Sequence, residues 1–166
     1  MPPHSTHLPH SRHEKEIAAT EDFSKFRHIL QTRVRTYDVD RQGLVHNAVY
    51  LQWMEAARVE YFRVLGLPID NQTFVTKHRF VVARVEIDYI YAAQFDQEYK
   101  VYTRIVSVGN TSITFEQIAR LIDGTILSKT RTVMVHLNPA SHKPERVQDS
   151  YRLLIKDYEG DNVDMS

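Results

Sequence analysis

One long helical stretch, followed by four β-rich stretches, limits the folds that this chain can adopt. Between Asn47 and Leu65, apolar side chains recur at helical spacing and form one stripe: Tyr50, Trp53, Met54, Ala57, Tyr61, Val64 and Leu65. Charged residues such as Arg58 are expected to lie mostly off this stripe. Gly66 suits a C-terminal cap, and Pro68 prevents the helix from continuing.

The other predicted elements are mostly strands. Four stretches are rich in β-branched and aromatic residues: 80–91, 98–108, 111–122 and 125–137. Gly109-Asn110 and Asp123-Gly124 provide turns between the last three of them. An earlier strand is predicted over residues 26–37, and a short amphipathic helix over residues 148–158. One long helix against an antiparallel sheet is an α+β fold.

The chain length of 166 residues suits a single domain with a substantial core. In that core we expect Trp53 to pack against sheet residues such as Val82 or Ile113. His4, His7, His10 and His13 recur every third residue near the N-terminus, where a flexible tail is favoured over metal binding. The expected segments are a disordered tail at 1–22, one domain at 23–158 and a C-terminal tail at 159–166.

The composition argues against several classes of function. Basic and acidic residues balance at 21 each, so no net charge favours nucleic acid. The chain has no cysteine, which excludes a disulfide framework, a thiol nucleophile and cysteine-ligated metal sites. No apolar run reaches transmembrane length, so a soluble, cytoplasmic protein without membrane partners is expected. The Gly-x-Ser-x-Gly and His-Glu-x-x-His motifs do not occur, and we expect neither a metal nor a cofactor.

The segment from Tyr37 to Tyr50 carries the most chemical information. Asp40 and Gly43 lie in a turn directly before the predicted start of the helix, near Asn47. The first N–H groups of a helix have no partner within the helix and can hold an oxyanion. A carboxylate that faces such a helix start could attack a carbonyl carbon or activate water, although Asp40 could also simply cap the turn.

These residues resemble the 4-hydroxybenzoyl-CoA thioesterase family of the hotdog fold. The resemblance rests on Tyr37-Asp38-Val39-Asp40, Gly43, His46-Asn47-Ala48-Val49-Tyr50 and Glu55-Ala56-Ala57-Arg58-Val59-Glu60-Tyr61, and it extends over residues 31–137. It implies a curved antiparallel sheet wrapped around a central helix. It also implies a homo-oligomer, either a dimer with active sites at its interface or a dimer of dimers, which would be a homotetramer.

The resemblance also implies a set of site residues. Asp40 would be the nucleophile or general base, and the backbone N–H of Asn47, at an expected N-cap position, would bind the oxyanion. His46 is a further catalytic candidate, although related proteins with a histidine here carry it at the position of Asn47, and a structural contact is favoured. The substrate-binding candidates are Gly43, Val45, Tyr50, Trp53 and Met54, although core packing is the plainer role for the apolar stripe.

The expected activity is hydrolysis of an acyl-CoA thioester to a free acid and a thiol. An acyl carrier protein remains an alternative carrier, because residues 107–112, where some relatives bind phosphate, contain no Lys or Arg. Hydration of an enoyl thioester is less favoured. Hydratases of the same fold use an Asp and a His that lie five positions apart, whereas Asp40 and His46 are six positions apart. A non-catalytic protein that binds acyl ligands is the third alternative, because a fold alone does not establish activity.

Overall fold

A five-stranded antiparallel sheet forms the frame of the protein in the computed structural model, which describes residues 21–72, 76–77 and 79–166. The strands are β1 (His28–Arg33), β2 (Phe80–Tyr89), β3 (Glu98–Val108), β4 (Ser112–Leu121) and β5 (Ile126–His136). Their order across the sheet is β1-β3-β4-β5-β2. The helices are α1 (Asn47–Val64) and α2 (Asp149–Glu159). The prediction of an α+β fold is therefore confirmed.

The first strand is shorter than the predicted stretch 26–37. Residues Thr36–Asp38 form a 3-10 turn, and Oδ2 of Asp38 accepts a hydrogen bond from the N–H of Arg35 at 2.8 Å. This local bond gives the backbone an alternative to sheet pairing, so the strand ends before the turn. The predicted tail at 1–22 lies outside the described residues, except for its last two positions.

Helix α1 packs mainly against strands β3, β1 and β4. The indole of Trp53 stacks on the ring of Tyr99 in β3, with 3.9 Å between ring centroids. The expectation that Trp53 packs against Val82 or Ile113 is therefore wrong. Val82 is 48% exposed on β2, and Ile113 belongs to a separate buried cluster at the other end of the core.

The C-terminal part of the chain closes that other end of the core. Helix α2 buries Tyr151 and Ile155 in the cluster that contains Ile113. The residues expected as a tail from 159 onwards also pack, because Val163 is buried and Asp164 forms a parallel bridge with Ser107. This segment pairs with β3 at Ser107, beyond Thr103, which is the last residue of β3 that pairs with β1.

Strand β2 is the more exposed of the two edge strands of the sheet, and β1 is the other. It pairs with β5 on one side, and no strand of the described chain pairs with its other side. Most of its residues are exposed on both faces, including the apolar side chains of Val81, Val82 and Val85. An edge that exposes both main-chain hydrogen-bonding groups and apolar side chains is suited to pairing with another chain. Within the described residues, neither helix is long and apolar enough to cross a membrane.

Candidate active site

A tight turn joins Asp40 to the start of helix α1. The N–H of Asp40 donates to the carbonyl of Leu44 at 2.9 Å, and the N–H of Gly43 donates back to the carbonyl of Asp40 at 3.0 Å. An antiparallel bridge between Val39 and Val45 continues this pairing toward the helix. Gly43 has a φ of +75°, which a residue with a side chain adopts only with strain. The glycine therefore allows the chain to reverse directly after Asp40.

The carboxylate of Asp40 is half-buried and is oriented by the turn itself. Its Oδ1 accepts hydrogen bonds from the N–H of Gln42 at 2.7 Å and from the N–H of Leu44 at 3.2 Å. Oδ2 accepts no hydrogen bond from any other described residue. The capping role considered from the sequence is thus present, and it leaves one oxygen of the carboxylate available for chemistry.

Helix α1 begins with open backbone donors. His46 is the N-cap residue and makes no side-chain capping bond, so the expectation of Asn47 at the N-cap is wrong by one position. The reason is that His46 keeps an extended backbone while Asn47 is already helical. The N–H of Val49 bonds to the carbonyl of His46 at 3.0 Å, but the N–H groups of Asn47 and Ala48 have no acceptor among the described residues.

A cleft of about 130 Å³ lies against this helix start. Its lining residues come from the helix and from the end of β2: Val45, Asn47, Tyr50, Tyr89, Ile90, Tyr91 and Ala92. The hydroxyl of Tyr50 donates to the carbonyl of Tyr91 at 3.4 Å and accepts from the N–H of Ala93 at 2.9 Å. These bonds fix the segment after β2 as one wall of the cleft. Asp40 lies in the adjacent turn and is not part of this lining in the single chain.

Other residues expected at the site lie deeper in the molecule. Trp53 and Met54 are buried in the core cluster beneath the cleft and do not line it. Tyr50 belongs to both regions, because its ring is buried and its hydroxyl end reaches the cleft. Burial raises the pKa of the Tyr50 hydroxyl, so this group remains protonated at neutral pH.

Arg58 is buried, although the helical pattern predicts that it lies mostly off the apolar stripe. It is only 7% exposed, and its Nη1 donates to Oε1 of Gln117 at 2.9 Å. The amide of Gln117 in turn donates to the carbonyl of Met54 at 2.9 Å and to Oγ1 of Thr103 at 3.1 Å. Burial lowers the pKa of Arg58, and Glu55 opposes this effect. A guanidinium therefore links the helix to the middle of the sheet through uncharged acceptors.

Tyr89 is the site residue that the sequence does not reveal. It ends β2, and its hydroxyl donates to the carbonyl of Asn47 at 3.0 Å. Its ring also contacts the ring of Tyr50 edge to face, with 5.6 Å between centroids. Nothing in the composition of the stretch 80–91 distinguishes this tyrosine from its neighbours, because its partner is a backbone atom distant in sequence.

The family to which the chain belongs follows from its similarity to known proteins. A family model described as the thioesterase superfamily matches residues 42–128, which contain helix α1 and strands β2 to β4. The chain belongs to the thioesterase superfamily. The prediction of a thioester hydrolase is confirmed at the level of the superfamily. The matched region begins two residues after Asp40, so it does not include this residue.

Individual members of the superfamily resemble this chain over much of their length. The acyl-CoA thioesterase YbgC of Haemophilus influenzae is 39% identical over 106 residues, which cover 61% of this chain and 75% of that protein. The acyl-CoA thioester hydrolase YbgC of Escherichia coli is 29% identical over 120 residues, covering 70% of this chain and 88% of that protein.

A solved structure supports the fold assignment. A thioesterase of Thermus thermophilus, solved with coenzyme A and Zn, superposes with a TM-score of 0.71 at 32% identity. The superposition covers 82% of this chain and 96% of that chain. The predicted hotdog fold, a curved antiparallel sheet with one long helix, is therefore confirmed for this superfamily member.

Proposed function

We propose that this protein is an acyl-CoA thioesterase that hydrolyses an acyl thioester to a free acid and a thiol. One observation carries the proposal: an oriented carboxylate with one available oxygen, on Asp40, precedes a helix whose first amides have no acceptor in the described chain. Attack on a thioester carbonyl requires both groups, a base or nucleophile and donors for the developing oxyanion. The acyl-CoA activity of related proteins supports the choice of substrate.

The carboxylate of Asp40 begins the reaction by one of two routes. As a general base, Oδ2 takes a proton from water while the water oxygen bonds to the thioester carbon. As a nucleophile, Oδ2 bonds to that carbon itself and forms a mixed anhydride, which water then cleaves. In both routes the C–S bond breaks with its electron pair on sulfur, and the thiolate takes up a proton as it leaves.

The start of helix α1 stabilises the charge that forms during the attack. The carbonyl oxygen of the thioester becomes negative, and the N–H groups of Asn47 and Ala48 provide donors that need no reorganisation. One donor of this kind contributes about 10²- to 10³-fold in rate. The partial positive charge at the helix N-terminus acts in the same direction. His46 supplies the extended N-cap backbone, and its exposed ring takes no step in this mechanism.

The cleft beside the helix start accommodates the reacting end of the acyl group. Val45 and Tyr50 form its inner wall, and the conformation of Gly43 lets the adjacent turn approach the substrate closely. Trp53 and Met54 support this wall from the core and do not contact the substrate directly in a single chain. A volume of about 130 Å³ is too small for a long acyl chain, so further binding surface must come from elsewhere in the assembly.

A second copy of the chain is the expected source of that surface. The open edge of β2 and its exposed apolar side chains provide a pairing site for an equivalent strand. The resulting homodimer, alone or as a dimer of dimers, would place the cleft beside the partner. Sedimentation equilibrium tests this assembly, and a monomer at micromolar concentration would exclude it.

Measurement of thiol release tests the proposed activity. The panel contains short, long and aromatic acyl-CoAs, together with matching acyl carrier protein thioesters, because residues 107–112 lack basic side chains. In Asp40→Asn the remaining Oδ1 can still accept the two turn hydrogen bonds, so hydrolysis should be lost while the fold is retained. Asp123→Asn is the matched control, because Asp123 Oδ1 similarly caps a turn through the N–H of Thr125. Equal activity in wild type and Asp40→Asn would exclude the proposed site.

A further inference from the structure

The hydroxyl of Tyr89 connects two elements that meet at the cleft. It donates to the carbonyl of Asn47 at 3.0 Å, so the end of β2 is tied to the first residue of helix α1. Both residues line the same cleft. Among the described residues, this is the one side-chain hydrogen bond that reaches the backbone of residues 46–48.

The fold does not require this bond to satisfy a buried polar group. Tyr89 is 46% exposed, so water could serve its hydroxyl. The carbonyl of Asn47 lies in the first turn of α1, where the regular helical pattern already supplies the N–H of Leu51 as a donor. A second donor on an already satisfied carbonyl therefore suggests a role in positioning and not in stability.

The bonded carbonyl belongs to the same peptide unit as one of the open donors. The C=O of Asn47 and the N–H of Ala48 lie in one rigid plane, so fixing one end fixes the direction of the other. A hydrogen bond to the carbonyl also polarises the peptide group and strengthens its N–H as a donor. The N–H groups at this end of a helix point along its axis toward the N-terminus, away from the helix body.

We propose that Tyr89 is a positioning residue for thioester hydrolysis, whose hydroxyl holds the peptide between Asn47 and Ala48 so that the Ala48 N–H serves the oxyanion. This inference rests on the proposed function. The developing oxyanion needs donors at hydrogen-bond distance, and a misplacement of about 1 Å at a reacting centre can cost about 10²-fold in rate. Tyr89 itself makes no bond to the reacting atoms.

The test compares Tyr89→Phe with wild type, because this change removes only the hydroxyl. We expect kcat to fall by about 3- to 10-fold, while KM stays within about twofold and the pH profile keeps its shape. The melting temperature should stay within about 2 °C, because the bond satisfies no buried group. Tyr102→Phe is the matched control, since Tyr102 packs against Phe23 and Phe26 in a cluster that shares no residue with the inner wall formed by Val45 and Tyr50.

The amide of Ala48 provides a readout that does not depend on activity. In ¹⁵N-labelled protein, Tyr89→Phe should shift the Ala48 amide resonance and change its hydrogen-exchange rate, and Tyr102→Phe should not. Unchanged kcat in Tyr89→Phe, a change in KM alone, or an unperturbed Ala48 amide would each overturn the positioning role. If the wild-type protein releases no thiol from any substrate, the proposed function fails, and the Ala48 amide still decides whether Tyr89 positions this peptide.

Discussion

Replacing Glu159 with Gln should change how the stability of the protein depends on pH. Glu159 is the last residue of helix α2 and is only 1% exposed. Its Oε1 accepts from the hydroxyl of Tyr61 at 2.5 Å and from the N–H of Ile105 at 3.0 Å. Its Oε2 is buried and has no hydrogen-bond partner among the described residues. Burial is the main cause of a raised pKa for this carboxyl group.

The raised pKa of Glu159 determines whether stability rises or falls with pH. The unfolded chain releases the proton near the ordinary pKa of 4.5, whereas the folded protein retains it to a higher pH. The stabilisation from this group is therefore complete below pH 4.5 and is lost as the pH rises through the folded pKa. Between the two pKa values the free energy of unfolding should fall by up to about 1.4 kcal/mol per pH unit. Gln does not titrate, so Glu159→Gln should lack this slope.

Neighbouring charges affect the same pH range and must be separated from Glu159. The hydrogen bond from Tyr61 opposes the increase in the carboxyl pKa, as do Arg104 and Arg27. Burial lowers the pKa of His28, whose ring meets that of Tyr61 edge to face, and this gives a slope of the opposite sign below pH 6.5. The substitution leaves His28 in place, so the difference between wild type and variant isolates the contribution of Glu159.

Urea unfolding followed by circular dichroism from about pH 4.5 to 7.5, at one fixed protein concentration, provides the measurement. Glu98→Gln is the control, because Glu98 is an exposed glutamate at the start of β3, away from the β2 edge, and its replacement should preserve the wild-type slope. Parallel curves for wild type and Glu159→Gln would refute the assignment of a raised carboxyl pKa.

Two further substitutions test the packing and the assembly. Trp53→Ala removes the ring stacked on Tyr99 and should cost about 3–5 kcal/mol in urea unfolding; a cost below about 1 kcal/mol would show that the stack is not part of the core. Val85→Asp places a charge on the open β2 edge, and if the proposed dimer forms through this edge the variant should be a monomer without thiol release. An unchanged sedimentation profile for this variant would contradict pairing through β2.

Most of the fold could be predicted from local patterns. Strand β3 has its predicted bounds, and the start of β2 also agrees. The Gly109-Asn110 turn marks the end of β3 directly in the sequence. The first strand differs because a side-chain bond from Asp38 competes with sheet pairing. The burial of Arg58 and the true partner of Trp53 could not be predicted, because both depend on which strands the helix crosses.

The candidate site was predictable to the extent that it is local in sequence. One short segment contains Asp40, Gly43 and the start of helix α1. Residues this close in sequence can form a turn among themselves, as the hydrogen bonds between Asp40, Gly43 and Leu44 show. Tyr89 could not be found in this way, because its hydroxyl contacts a backbone carbonyl 42 positions earlier in the chain. The position of Glu159 in the core was also hidden, since an acidic residue near a chain end is usually exposed.

The single-turnover rate of Asp40→Asn with the best acyl-CoA substrate tests the central claim most directly. This measurement reports the chemical step and is independent of product release. We predict a rate about 10²- to 10⁴-fold below that of wild type, with an unchanged circular dichroism spectrum. A rate within about threefold of wild type would contradict the assignment of Asp40 as the group that attacks the thioester or activates water.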